Sequence, residues 1–152
     1  MKISDFLNEN LVFSDLQSTE KAETIRELAT LIAGRIPALR ADDLTLAFSE
    51  RERLGSTAVG RGIAIPHGKL DVPNGLTGCL ARSRKGVAYD SLDGQPTHLF
   101  FALVGPQSSA TEHLEALARI SRLFRTPDLF VRMMDAESTG DLYRIVVEED
   151  RG

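Results

Sequence analysis

Apolar side chains recur every three or four residues in two segments near the start of the chain. This spacing is typical of amphipathic helices. The first predicted helix covers residues 19–35, with Ser18 or Thr19 as its N-cap. The second covers about residues 41–53 and ends before Gly55. Each predicted helix therefore has one apolar face available for a core.

The middle of the chain contains the shorter apolar runs that are typical of strands. Residues 75–82 and 97–104 predict strands, and the second run is apolar on both faces, as a central strand covered by helices would be. A short β-favouring run, Ile63-Ala64-Ile65, interrupts a glycine-dense stretch. The pattern thus predicts a sheet packed between helices.

The last third of the chain returns to helical spacing. An S-x-x-E pattern beginning at Ser109 predicts a capping box at the start of a helix. Thr126-Pro127 predicts the start of another helix, because proline is favoured at the first helical position. Thr139 is the predicted cap of a final helix, and the acidic residues 148–150 are expected to fray into solvent.

Length and composition narrow the class of protein. The 152 residues are 42% apolar and 26% charged, as expected for one folded domain covering residues 1–152. The net charge is −4 and there is no basic run, so nucleic acid is not an expected partner. Cys79 is the one cysteine, so an internal disulfide is excluded. We expect its small side chain to be buried in a strand. Without a signal-peptide core or a membrane-spanning apolar stretch, we expect a cytoplasmic protein with no membrane insertion.

His67 is the strongest candidate for chemistry. Pro66 favours an extended conformation at Ile65, and Gly68 has no side chain to block what approaches the imidazole. Near neutral pH one ring nitrogen of an ordinary histidine has a free lone pair that can attack phosphorus. A loop histidine that only binds a carbonyl is the competing interpretation.

Phosphoryl transfer also needs positive charge and fixed donors around the phosphoryl oxygens. Arg51, in the last turn of the second predicted helix, is a candidate for this charge, and its neighbour Arg53 is another. The remaining phosphate-binding candidates are the hydroxyl groups and amides of the glycine-dense stretch, namely Ser56, Thr57, Gly60 and Gly62.

His113 lies just inside the helix that is predicted to begin at Ser109. The positive end of a helix dipole disfavours an imidazolium, so a neutral His113 can donate one hydrogen bond to a phosphoryl oxygen. A surface or partly buried histidine without a function is the competing interpretation. His98, at the start of a predicted strand, has no such partner and is placed outside the site.

Three other kinds of site are not supported. A P-loop would require glycine in place of Ile63 and serine or threonine in place of Leu70. The three histidines are far apart and form no HExxH pattern, so no metal site is expected. A serine hydrolase would need a G-x-S-x-G turn, which the sequence lacks.

The segment RERLGSTAVGRGIAIPHGKL, from Arg51 to Leu70, resembles the active-site signature of phosphotransferase system enzyme IIA (EIIA) of the mannitol/fructose and nitrogen-regulatory class. The residues of this segment are most similar to those of the nitrogen-type branch. The resemblance extends to the segments LDGQPTHLFFALVGP and EHLEALARISRLF and to the ending DLYRIV, so it covers nearly the whole chain.

This resemblance implies an α/β (α+β) fold, a three-layer α/β/α domain with a mixed central sheet. It implies that His67 is the phospho-acceptor, Arg51 the active-site arginine and His113 the second active-site histidine. It also implies that the phosphoryl group arrives from an HPr-like phosphocarrier protein of the nitrogen type, itself charged from phosphoenolpyruvate by an enzyme I. The domain then requires no cofactor, metal or nucleotide.

Sugar-type members of this class pass the phosphoryl group to a IIB component and are often fused to IIB or membrane IIC domains. This chain has neither in its 152 residues, so the nitrogen-type interpretation is preferred. It predicts a regulator whose phosphorylation state changes its binding to target proteins such as transporters or sensor kinases. A sugar-specific subunit and a pure binding module, in which His67 is structural, are the alternatives.

Overall fold

A computed structural model describes residues 1–150 of the protein. In these residues a short 3-10 helix, Ile3–Asp5, precedes strand β1, and another, Gln107–Ser109, precedes helix α3. The helices are α1 (Lys21–Arg35), α2 (Ala41–Glu52), α3 (Ala110–Leu123), α4 (Leu129–Asp135) and α5 (Thr139–Glu149). The strands are β1 (Leu7–Phe13), β2 (Ala58–Gly60), β3 (Ile63–Ala64), β4 (His67–Lys69), β5 (Thr77–Val87) and β6 (Thr97–Gly105).

The strands form one mixed sheet. Its order is β1-β5-β6-β3-β2, and β4 also pairs with β6. The pairs β1 with β5, β3 with β6 and β4 with β6 are parallel, whereas β5 with β6 and β2 with β3 are antiparallel. The central strand β6 therefore supports both short strands, β3 and β4, along one side.

Strand β6 divides the core in two. Leu99, Phe101 and Leu103 point to one face, where they pack with residues of α3, α4 and α5. Phe100 and Ala102 point to the other face, where they pack with residues of α1 and α2. This alternation follows from the two-residue period of a strand. It confirms the predicted α/β fold with a mixed sheet between two helical layers, and the strand that is apolar on both faces.

The predicted start of α1 is wrong. The N-cap is Glu20, not Ser18 or Thr19, and the helix begins at Lys21. Thr19 and Glu20 are held in extended backbone, because the carbonyl of Thr19 accepts a hydrogen bond from the amide of Ala88 and Glu20 forms a parallel bridge to it. Periodicity detected the helix but could not detect a tertiary contact at its end.

The caps of the C-terminal helices also differ from the prediction. Ser109 is the N-cap of α3, as predicted, but its side chain forms no capping hydrogen bond. Helix α4 begins at Leu129, after Asp128 adopts a left-handed conformation with φ 67°. Ser138, not Thr139, caps α5 by accepting a hydrogen bond from the amide of Asp141.

The C-terminal end of α5 is held in place rather than frayed. The carboxylate of Asp150 accepts hydrogen bonds from Nε of Arg119 at 2.7 Å and from the amide of Ile3 at 2.7 Å.

Two strands also differ from the prediction. Strand β1 was not predicted, because its exposed polar residues hide the alternation of apolar and polar side chains. Strand β5 runs five residues beyond its predicted end.

Arg82 is a fully buried arginine that connects β5 to the end of α4. Its Nε donates to the carbonyl of Ser14 at 3.0 Å, and its Nη1 donates to the carbonyls of Met133 at 2.9 Å and Ala136 at 2.6 Å. Met133 lies in the last turn of α4 and Ala136 is its C-cap. The carbonyl of Met133 also accepts from the amide of Ala136 at 3.3 Å, and the carbonyl of Ala136 also accepts from Nη2 of Arg84 at 3.1 Å. Arg82 thus connects the residue after β1 to the end of α4 through one buried guanidinium.

We expect Arg82→Met to lower the free energy of unfolding by about 2–4 kcal/mol. The variant loses three hydrogen bonds from one buried guanidinium, and hydrogen bonds to charged groups contribute about 1.5–3 kcal/mol each. This loss is partly offset because a buried charge is also removed. Urea denaturation measures the difference. Arg84→Met is the control, since exposed Arg84 contacts the carbonyls of the same segment and its loss is expected to cost under about 1 kcal/mol. Equal stabilities of the two variants would contradict this role of Arg82.

Candidate functional site

His67 lies where a strand is interrupted. Strands β3 and β4 pair in line with β6, Ile63 opposite Leu99 and His67 opposite Leu103, and residues 65–66 separate them. Pro66 has no amide hydrogen and favours extended backbone at the residue before it. The ladder is therefore broken immediately before the histidine, and the carbonyl of Ile65 is available to the imidazole.

Two hydrogen bonds fix the imidazole of His67. Its Nδ1 lies 2.8 Å from the carbonyl oxygen of Ile65, and its Nε2 lies 3.1 Å from Nε of Arg51. A carbonyl can only accept a hydrogen bond and a guanidinium can only donate one. Nδ1 must therefore carry the proton, and Nε2 must carry the lone pair.

Gly68 brings α2 close to this strand. A Cβ at Gly68 would lie 2.9 Å from the Cβ and backbone of Ala47, so any side chain there would push α2 away. The glycine was expected to keep space open beside the imidazole. In the structure it instead permits the close packing of α2 that carries Arg51 to His67. Nη1 of Arg51 also donates to the carbonyl of Gly55 at 2.9 Å, which fixes the guanidinium at a second point.

His113 reaches the same site from α3. Its ring centroid is 5.7 Å from that of His67, and the residue is 2% exposed. Neither ring nitrogen has a hydrogen-bond partner within residues 1–150. Buried polar atoms are nearly always paired, so His113 is a candidate to form a hydrogen bond with a group that enters the site beside His67.

Arg51, His67 and His113 line an open cavity of about 720 Å³. Lys69 joins them with a second positive charge, and Asp43 and Glu50 contribute negative charges along α2. The remaining lining residues are mostly apolar and come from α2, α3 and the segment after β4: Leu46, Ala47, Leu54, Gly68, Leu70, Leu114 and Leu117. The candidate site is thus a mostly apolar cleft with two cations and two histidines.

Burial and nearby cations keep both histidines neutral at physiological pH. Burial lowers the pKa of His67; the hydrogen bond to Ile65 opposes this, and Arg51 adds to the lowering. Burial, then Lys69 and then His67 lower the pKa of His113 to about 4. A neutral imidazole with a defined tautomer is a nucleophile, and a second neutral imidazole is a hydrogen-bond donor.

Ser56 and Thr57 do not line this cavity. The hydroxyl of Ser56 donates to the carbonyl of Tyr89 at 2.9 Å, and the hydroxyl of Thr57 is hydrogen-bonded to the carboxylate of Glu52. Thr57 is also buried, with 4% exposure. The hydroxyls predicted to bind phosphate are therefore occupied inside the domain.

Gly60 and Gly62 do not line the cavity either. They flank Arg61 in the turn between β2 and β3, and all three residues have positive φ, at 101°, 58° and 80°. The amide of Arg61 donates to the carboxylate of Asp93 at 2.9 Å. Gly62 meets β6 at Leu99, four residues from the partner of His67, which is about 13 Å along the strand. The glycines thus serve a tight turn rather than a phosphate cradle.

The contacts of the remaining candidate residues place them outside the cavity. Arg53 forms an exposed ion pair with Glu50 at 3.0 Å and does not line the cavity. His98 binds the carbonyl of Ser83 through Nδ1 at 2.8 Å, outside the site. Cys79 is buried in β5 at 1% exposure. Within residues 1–150 no three His, Cys, Asp or Glu side chains are grouped to hold a metal ion.

Sequence reasoning missed two residues near His67. Lys69 follows it by two positions on the same strand, and the two-residue period of a strand is the signal that could have placed it beside the histidine. The carboxylate of Glu52 is buried next to Arg51, with its side chain 5% exposed. No local pattern marks Glu52, because two of its partners, Lys21 and Tyr89, come from distant parts of the chain.

A family model and several known proteins are similar to this chain. The family model described as "Phosphoenolpyruvate-dependent sugar phosphotransferase system, EIIA 2" matches residues 5–149. A nitrogen regulatory protein of Bradyrhizobium diazoefficiens is 34% identical over 96% of this chain and 95% of that protein. A fructose-specific EIIABC component of Bacillus subtilis is 35% identical over 99% of this chain but only 24% of that protein.

Solved structures are also similar. The nitrogen regulatory protein IIA-Ntr of Neisseria meningitidis superposes with a TM-score of 0.86 and 30% identity, covering 95% of this chain and 98% of that chain. IIA mannitol of Escherichia coli superposes with a TM-score of 0.69 and 19% identity, covering 91% and 96% of the two chains. The second match shows a shared fold only.

We expect His113→Gln to weaken the pH dependence of stability. Between pH 6.5 and 4 the unfolded chain binds a proton at residue 113 that the folded protein does not, so acid favours unfolding. For the native protein this effect removes about 2 kcal/mol of unfolding free energy between pH 7.5 and pH 5. Urea denaturation at both pH values should show a drop smaller by this amount in the variant, and identical drops would contradict the prediction.

Proposed function

The chain belongs to the EIIA 2 family of the phosphoenolpyruvate-dependent sugar phosphotransferase system, and from this premise we propose that His67 carries a phosphoryl group. The observation that carries the proposal is the pair of hydrogen bonds on the imidazole. They leave the lone pair on Nε2, where it accepts the hydrogen bond from Arg51, and both residues line the open cavity. Nε2 is therefore the proposed attacking atom.

The proposed step exchanges one nitrogen–phosphorus bond for another. The lone pair on Nε2 attacks the phosphorus of a donor phosphohistidine, and the bond from phosphorus to the donor nitrogen breaks with its electron pair returning to the donor ring. The ring of His67 becomes positively charged and keeps its proton on Nδ1. The carbonyl of Ile65 stabilises that charge through the same hydrogen bond that set the tautomer.

Arg51 and His113 supply the groups that the phosphoryl oxygens need. Nε of Arg51 already lies 3.1 Å from the atom to be phosphorylated, so its N–H groups meet the oxygens after a small movement. His113 has unpaired ring nitrogens and a pKa of about 4, so it enters as a neutral donor of one hydrogen bond. These positions support the roles that the family resemblance implies for both residues.

The rim of the cavity supports docking of a protein rather than a small substrate. Leu46, Leu54 and Leu114 are each more than half exposed and line the cavity around His67. Exposed apolar side chains clustered at a site are typical of interaction surfaces. Asp43 and Glu50 add negative charge on the α2 side, which favours a partner with basic residues around its own active site.

We assign the donor as an HPr-like carrier of the nitrogen type and the output as regulation. Support comes from nitrogen regulatory proteins that this chain matches over nearly their whole length, and from the closer superposition on IIA-Ntr than on IIA mannitol. The fructose-specific relative, with similar identity, supports the second candidate, a sugar-type subunit that passes the phosphoryl group to a IIB component.

The proposed regulation of partner binding rests on the charge of the phosphoryl group. A phosphoryl group brings nearly two negative charges to a mostly apolar surface, and the positive ring of His67 offsets about one of them. A partner that binds neutral His67 is therefore repelled by the phosphorylated form. The targets in this proposal are transporters or sensor kinases, and the protein itself is proposed to act in the cytoplasm. Within residues 1–150 no helix has the length and apolar character to span a bilayer.

We expect the intact mass to rise by about 80 Da, the mass of one phosphoryl group, after incubation with phosphoenolpyruvate, enzyme I and a nitrogen-type HPr-like carrier. The added group should be labile in acid, as phosphohistidine is, and absent from His67→Ala. A sugar-type HPr tested in parallel separates the two candidate donors by their rates, and an added IIB component tests onward transfer.

His98→Ala is the matched control, because His98 lies outside the cavity and should leave the mass gain intact. An 80 Da gain that persists in His67→Ala would contradict the assignment of the acceptor. No gain with any carrier would favour the binding-module alternative.

A further inference from the structure

A buried carboxylate lies beside the site and takes no part in the proposed chemistry. Glu52, the last residue of α2, has a side chain that is 5% exposed. It forms an ion pair with Lys21 of α1 at 3.0 Å and accepts a hydrogen bond from the hydroxyl of Tyr89 at 3.3 Å. Burying a carboxylate is costly unless several partners compensate, so this cluster needs a reason.

The main partner of Glu52 is Thr57. Oε1 accepts from the amide of Thr57 at 3.0 Å, and Oε2 is hydrogen-bonded to the hydroxyl of the same residue. Glu52 thus closes the loop that leaves α2 and fixes both the backbone and the side chain of Thr57.

Two hydrogen bonds, joined by the backbone of Ile65, lead from Thr57 to the imidazole. The carbonyl of Thr57 accepts from the amide of Ile65 at 3.0 Å, and the carbonyl of Ile65 accepts from Nδ1 of His67 at 2.8 Å. The carboxylate is therefore connected to the tautomer-determining bond through two residues, Thr57 and Ile65. Any displacement of Thr57 moves the carbonyl that holds Nδ1.

The same loop controls the other side of the ring. Residues 53–57 carry the carbonyl of Gly55 that accepts from Nη1 of Arg51. Because Glu52 closes this loop at Thr57, it restrains the acceptor that holds the guanidinium, and the guanidinium holds Nε2. Both nitrogens of His67 are thus positioned by groups that depend on one carboxylate.

We propose that Glu52 is a positioning residue, which acts through Thr57 to hold His67 in the tautomer that presents Nε2 to the cavity. The inference deepens the proposed function and rests on it, since the presented lone pair matters only if His67 is phosphorylated. It reassigns Thr57 from a phosphate ligand to a link in this path. Glu52 touches no reacting atom, so it is not a catalytic residue.

The test uses the unphosphorylated protein first. Long-range ¹H–¹⁵N NMR spectra distinguish a proton on Nδ1 from one on Nε2, and the wild-type ring should hold its proton on Nδ1. Thr57→Val removes only the hydroxyl from the path, and we expect at least a five-fold rise in the Nε2–H population. Glu52→Gln should give a larger rise. It should also lower the pKa of His67 further, because the negative charge that raises this pKa is lost.

Phosphorylation kinetics provide the second readout. In both variants kcat for transfer from the carrier should fall about ten-fold while KM stays within two-fold, because neither residue lines the docking cavity. Thr57→Ser keeps the hydroxyl and should restore both readouts. Asp42→Asn, an exposed change on the same helix, is the control and should match the wild type.

The outcomes separate this inference from the proposed function. A folded Thr57→Val protein with the wild-type tautomer population would overturn the inference, even if Glu52→Gln failed to fold. A tautomer shift in a protein that no carrier phosphorylates would support the positioning role and overturn the proposed function instead. A fall in kcat without a tautomer shift would also overturn the inference.

Discussion

The site depends on one hydrogen bond, from Nδ1–H of His67 to the carbonyl of Ile65. That bond is possible because the strand is broken at Pro66, which leaves the carbonyl of Ile65 available to a side chain. It decides which nitrogen carries the lone pair, and it keeps the ring at a fixed angle to Arg51. The backbone thus assigns the chemistry of the histidine before any partner arrives.

A second constraint is electrostatic. In the proposed function the cavity receives a phosphoryl dianion and needs positive charge, yet a protonated imidazole would have no free lone pair. The structure separates these requirements: Arg51 and Lys69 supply the charge, while burial and those same cations keep His67 neutral. His113 is neutral for the same reasons. Positive charge and nucleophilicity therefore support each other in one cleft.

The parts of the fold that the sequence predicted are those set by periodicity. The helices before Gly55 and the doubly apolar strand β6 were predictable, because each buries a face that local spacing defines. The resemblance of the segment from Arg51 to Leu70 predicted the family correctly. Strand β1 and the helix caps depended on tertiary partners and were missed or misplaced.

The site was predictable to the extent that single residues reveal chemistry. His67, Arg51 and His113 meet in one cavity, as the resemblance implied. The predicted phosphate-binding residues did not lie in the cavity: Thr57 contacts a buried carboxylate and Gly62 belongs to a turn. The sequence could not show this, because a hydroxyl or a glycine looks the same in either role.

The most direct measurement is ¹H–¹⁵N and ³¹P NMR of the phosphorylated protein, which identifies the nitrogen of His67 bonded to phosphorus. The account predicts phosphorus on Nε2 with the proton retained on Nδ1, and phosphorus on Nδ1 would contradict it.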